Sequence, residues 1–144
     1  MTHGDRGNYK AKHSSASRLD QRIAEAVEKK TVDGKITCTD ASDIADELGA
    51  SMKDVGLTID LMEIEISKCQ LGLFGYRPQK TVVKAAQVVQ TDLEKAIRGA
   101  LVNDRLPCAA AWRIAATFAV PKMAVSSACE ALKIKVKPCQ LGAF

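Results

Sequence analysis

Five cysteines and two histidines are the residues of this chain best suited to thiol or soft-metal chemistry. Cys38 and Cys108 are 70 residues apart, and so are Cys69 and Cys139. If the segments carrying them pair within each half, two thiols meet there. They could act as a disulfide switch or supply thiolates to Zn²⁺. The spacing argues against metal, because no Cys-x-x-Cys occurs and neither His3 nor His13 is near a thiol in sequence. Cys129 falls where the first half has Ile59, so it reads as core. Cysteine is accepted at such positions as a compact hydrophobe.

Catalysis has no support in the sequence. Both histidines lie within the first 13 residues, and no nucleophile–base arrangement is visible. The stretch Gly-Leu-Phe-Gly at 72–75 is too short for a phosphate loop and opens no helix at the required spacing. The chain reads as a non-enzyme with no cofactor.

Charge is the more informative chemistry. The net charge of +4 conceals an asymmetry. Residues 1–18 carry four Lys/Arg and one acid, whereas residues 19–76 carry six Lys/Arg against twelve Asp/Glu. Residues 77–84 add three basic residues, and 85–144 carry eight Lys/Arg against four acids. In the basic second half, Lys133, Lys135 and Lys137 alternate with Ile134 and Val136. A strand over 133–137 would place these lysines along one ridge. A solvated face, or a sheet edge protected from aggregation, would give the same pattern. Together with Arg113 and Lys122, and with Ser126 and Ser127 on the same predicted helix, the ridge makes a candidate nucleic-acid contact.

The elements that must position these residues are written twice. Lys-Cys-Gln-Leu-Gly-Leu-Phe at 68–74 returns as Pro-Cys-Gln-Leu-Gly-Ala-Phe at 138–144. At the same offset, Ala41 meets Ala111, Ile44 meets Ile114, Val55 meets Val125 and Ile64 meets Ile134. Asp20 to Phe74 aligns without a gap, which implies one duplicated unit, because each matched apolar position must fill the same place in a core. In the hexad Cys-Gln-Leu-Gly-x-Phe the structural reading is that Cys69 and Cys139 end strands. Leu71, Phe74, Leu141 and Phe144 then fold onto the core, and Gly72 and Gly142 make the turn.

Periodicity gives each unit the order helix, short strand, helix, tight turn, helix, strand. In the first unit a helix begins near residues 15–17 and ends at Asp33-Gly34. A strand covers 36–38. A second helix, capped by Thr39 or Asp40, buries Ala41, Ile44, Ala45 and Leu48 and stops at Gly49. Ser51 caps a third helix with Val55 and Ile59 inward. In the second unit the first helix is expected from about 79 to 101, a strand over 106–108, and helices over 110–119 and 121–132. Ala119 takes the place of the turn glycine.

Residues 41–55, with Ala45 in the first helix, Gly49 in the turn and Val55 in the second helix, resemble a helix-turn-helix signature. With its flanking strands each unit is similar to a winged helix. The resemblance implies that the third helix would enter the major groove of duplex DNA. In the first unit the face expected to be exposed is Met52, Lys53, Gly56, Thr58 and Asp60, with Asp54 nearby. That face lacks the Arg, Asn and Gln that match base edges, and its unit is acidic, so it suits a protein partner or self-association. The second unit offers Lys122, Ser126 and Ser127, with phosphate contacts outweighing base reading.

The expectation is therefore a mainly α chain with short β strands. Two tandem winged helix-turn-helix-like repeats occupy 18–76 and 77–144, packed as a pseudo-dimer after a flexible basic tail at 1–17. The expected role is a cytoplasmic DNA-binding transcriptional regulator that contacts duplex DNA mainly through the second repeat. A protein-interaction module, or a thiol or metal sensor, is the alternative. No apolar run reaches the roughly 20 residues of a membrane span.

Overall fold

The computed structural model describes Tyr9, residues 19–79 and residues 81–144. The described chain is mainly helical, with a few short strands. Its first half runs α1 (Gln21–Lys30), β1 (Lys35–Thr37), α2 (Cys38–Leu48), α3 (Met52–Leu61) and β2 (Glu65–Ser67). Its second runs α4 (Thr91–Gly99), β3 (Arg105–Leu106), α5 (Cys108–Phe118), α6 (Lys122–Leu132) and β4 (Lys135–Val136).

Local chemistry sets most boundaries. The Asp20 carboxylate accepts from the backbone N–H groups of Arg22 and Ile23, so α1 starts there. The residues expected to start it, 15–17, lie outside those described. Asp33 and Gly34 both have positive φ and return the chain sharply into β1. Thr37, rather than Thr39 or Asp40, caps α2 through its hydroxyl, so Cys38 opens the helix instead of ending the strand. Gly49 is left-handed at the end of α2, and Ser51 caps α3, as the sequence indicated.

The strands pair in parallel, β1 with β2 in the register Ile36↔Ile66 and β3 with β4 in the register Leu106↔Val136. Parallel neighbours need a crossover, and the helix pair α2–α3 or α5–α6 supplies it. No antiparallel two-stranded wing lies among the described strands. In the first core Ile23, Val27, Ile36, Ile44, Val55, Ile59 and Ile66 are buried, each contributing roughly 1.5–3 kcal/mol by leaving water.

Two compact units result, but their boundaries are not those of the sequence halves. One unit is Met1–Cys69 with Gln140–Phe144, and the other is Gln70–Cys139. The expected division at 76/77 is thus displaced, because each Gln-Leu-Gly-x-Phe segment joins the unit built from the other half. Gly142 and Gly72 both turn at a φ of 77°, a backbone glycine adopts without strain.

Three further expectations are corrected. The helix expected from 79 to 101 is helical only from Thr91. Before it, Thr81 and Val82 both hydrogen-bond to the Gly72 carbonyl, and Ala86 donates its N–H to the Ser127 carbonyl, so the chain is held extended along this unit. The face of α3 expected to be exposed is largely covered. Thr58 and Asp60 are each 1% exposed, and Gly56 is buried against the Leu141 backbone of the docked segment 140–144. The basic tail expected at 1–17 lies outside the described residues except for Tyr9, which is buried and donates its backbone N–H to Glu63 Oε2 at 3.0 Å.

Candidate nucleic-acid interface

The seven candidate residues do not form one patch. Lys133, Lys135 and Lys137 are exposed, alternating with the half-buried Ile134 and Val136. The strand proper is short, Lys135–Val136, and Lys133 sits before it as the left-handed cap of α6. The Lys137 N–H donates to the Leu106 carbonyl, and the Cys108 N–H to the Pro138 carbonyl, which extend the parallel pairing past the strand end. The lysine ridge is therefore anchored through its backbone while its ammonium groups stay in water.

Lys122 stands at the other end of α6, roughly 16 Å from Lys133 at 1.5 Å per residue. Its ammonium lies 4.7 Å from the centroid of the Trp112 ring, a contact worth about 0.5–1 kcal/mol where exposed. Arg113 is exposed on α5. Ser126 cannot contact a duplex, because it is 1% exposed and its Oγ has no hydrogen-bond partner. Ser127 is half-buried, and its carbonyl accepts from the extended strand of chain at Ala86. The outer surface of α6 is thus partly covered by its own chain, with Met123 Sδ also close to Gly72.

The sheet supplies a residue that sequence reasoning missed. Register sets Arg105 beside Lys135, and both are exposed. In the first unit the same places hold Lys35 and Glu65, which form an ion pair at 4.0 Å. Where one sheet carries a neutral pair, the other carries two adjacent cations. Among the described residues no carboxylate lies within ion-pair distance of Arg105, Lys133, Lys135 or Lys137. The signal was available at the 70-residue offset, where Lys35 falls on Arg105 and Glu65 on Lys135.

The thiols are placed differently from the metal-site picture. Cys38 and Cys108 open α2 and α5, Cys69 and Cys139 follow β2 and β4, and all five cysteines are thiols. No group of three or more metal-ligating side chains occurs among the described residues. Cys129 is buried in α6, and desolvation, with Glu130 adding to it, raises its pKa to about 11. It is a thiol kept neutral, the opposite of an activated nucleophile. No described helix is long and apolar enough to cross a membrane. No protein-family model, curated protein or solved structure matches the chain.

Proposed function

We propose that the chain is a small non-catalytic binding protein, two copies of one helix-turn-helix-like unit in tandem, that holds duplex DNA by its phosphates. The contact surface is the basic sheet of the second copy: Arg105, Lys133, Lys135 and Lys137, with Arg113 as an outlying contact. The observation that carries this reading is the pairing of Arg105 with Lys135 where the first sheet has Lys35 with Glu65. Like charges side by side on a sheet are unfavourable, and a bound polyanion removes that penalty. The duplication is supported by element order and by two parallel registers that differ by the same 70-residue offset.

The reading departs from groove recognition by the third helix. Thr58, Asp60 and Ser126 are buried, so none of these three side chains can read a base edge. Binding by phosphate contact alone is salt-dependent and indifferent to sequence. A regulator of this type would act by occupancy or architecture.

Fluorescence anisotropy with random duplex DNA at two salt concentrations tests the proposal. Wild type should bind, with an affinity that falls steeply with salt. The triple variant Lys133/Lys135/Lys137→Ala should lose most of the affinity, and its salt slope should fall by about one per lysine removed. Equal binding by wild type and variant would remove the basic sheet from the interface. A second reading, a protein-interaction module, is favoured by the covered α3 and α6 faces and by the exposed acids Asp43, Asp46 and Glu47 on α2. Absence of any duplex binding would select it.

A further inference from the structure

The sharpest motif in the sequence is not used by the proposed DNA contact. Gln-Leu-Gly-x-Phe occurs at 70–74 and at 140–144, and each occurrence belongs to the compact unit built from the other half of the chain. The seat for the second occurrence is shaped to it. Position 56 lies inside α3, where glycine weakens a helix. Any side chain there would overlap the Leu141 carbonyl. Leu141 and Ala143 are each 2% exposed, and Gly142 supplies the positive-φ turn between them. The close approach of two backbones explains the helical glycine, and the left-handed φ at position 142, where nothing lies within 4 Å of an added methyl, explains the glycine of the motif.

The connection into this seat is short. β4 ends at Val136, pairing with the other strand continues to Pro138, and the docked segment starts at Gln140. Only Cys139 separates the last sheet hydrogen bond from the segment that leaves. A segment that docks through a short hinge can seat on an identical partner with the same contacts, and a two-fold exchange closes on itself.

We propose that the α3 face around Gly56 is a receptor for the Gln-Leu-Gly-x-Phe segment and that a second copy of the chain can fill it. In the resulting dimer, residues 140–144 of each copy seat on α3 of the other. No contact is gained or lost on exchange, so refolding concentration selects between the closed monomer and the exchanged dimer.

The test mixes two full-length-derived variants under reducing conditions. One lacks residues 140–144, so its seat is open and it has no segment to donate. The other carries Gly56→Val, so its seat is closed and its own segment is displaced. Each alone should be monomeric by size exclusion with light scattering, and the mixture should give a one-to-one dimer. Two folded variants that stay monomeric when mixed would overturn the proposal.

If circular dichroism shows either variant unfolded, wild type decides. Refolding at high concentration should give a dimer fraction. An excess of the heptapeptide PCQLGAF present during refolding should suppress that fraction by tenfold or more. The same peptide carrying Gly142→Val should leave the dimer unchanged. No dimer, or a dimer indifferent to both peptides, would exclude segment exchange.

Discussion

Arg105 and Lys135 are directly paired in the parallel sheet of the second unit, two cations where Lys35 and Glu65 form an ion pair in the first. Under the proposed duplex contact, the arrangement would set stability against binding. Lys135→Glu should recreate the ion pair of the first sheet and stabilise the chain by up to about 1 kcal/mol, the range for exposed cross-strand charge pairs. The same substitution should weaken duplex binding tenfold or more at low salt. Urea denaturation and anisotropy on one preparation read both effects. A variant that loses stability and binding together would mean that Lys135 supports the fold rather than the ligand.

Gly56 should respond to alanine with a sign set by its neighbour. In an open helix, Gly→Ala stabilises by about 0.5–1 kcal/mol. Gly99, in the last turn of α4 with nothing within 4 Å of an added methyl, is the internal control and should show that gain. At position 56 the methyl overlaps the Leu141 backbone, and Gly56→Ala should instead cost about 1–3 kcal/mol, as overpacking does. In a chain lacking 140–144 the substitution should become stabilising. Thermal melts of the four proteins read the reversal.

What the sequence reveals here is local, and what it hides is long-range. Gly49 and Ser51 were legible because a left-handed stop and a hydroxyl cap act within three residues. The alternation of Lys133, Lys135 and Lys137 with Ile134 and Val136 was legible for the same reason. Helix geometry alone assigned Gly56, Thr58 and Asp60 to solvent, and at Gly56 the misreading arose because its cover, Leu141, lies far along the chain. A glycine in mid-helix was the available signal of close approach. The helix expected from residue 79 was drawn through Val83 and Val88, which lie five residues apart and so do not share one helical face. Hydrogen bonds from Thr81 and Val82 to Gly72 and from Ala86 to Ser127 hold that stretch extended instead. Arg105 was not legible because strand register, set between segments 30 residues apart, decides which residues are neighbours.

Ala119 keeps the left-handed conformation of Gly49, with φ 51° against 63°, although it carries a side chain. A non-glycine residue there is strained by about 1–2 kcal/mol. Ala119→Gly should therefore stabilise the chain by about 1 kcal/mol, and Gly49→Ala should destabilise it by a similar amount. Nothing within 4 Å obstructs a methyl at position 49, so backbone strain alone is measured. Equal and opposite shifts in denaturation midpoint are the expected result.

Ser126 was a candidate DNA contact and is instead a buried hydroxyl without a partner. An unsatisfied buried polar group costs about 1–3 kcal/mol. Ser126→Ala should raise stability by about 1 kcal/mol and leave duplex affinity unchanged within twofold. Loss of binding in a folded Ser126→Ala protein would return this residue to the interface.

Cys129 gives the chain an alkaline sensitivity whose direction follows from burial. Its pKa is raised from 9.0 to about 11 in the folded state. The folded protein therefore holds this proton at pH values where the unfolded chain has released it. Stability from this source is fully present below pH 9, falls as pH rises from about 9 to 11, and is lost above that window. A two-unit shift corresponds to about 2–3 kcal/mol across the window. Cys129→Ala should be less stable at neutral pH, because it leaves a small void, yet its stability should fall less between pH 9 and 11. The quantity to follow is the wild-type-minus-variant difference in unfolding free energy, because contributions common to both proteins cancel in it. That difference should shrink with rising pH, and a constant difference would mean that the thiol ionises equally easily in the folded and unfolded chains.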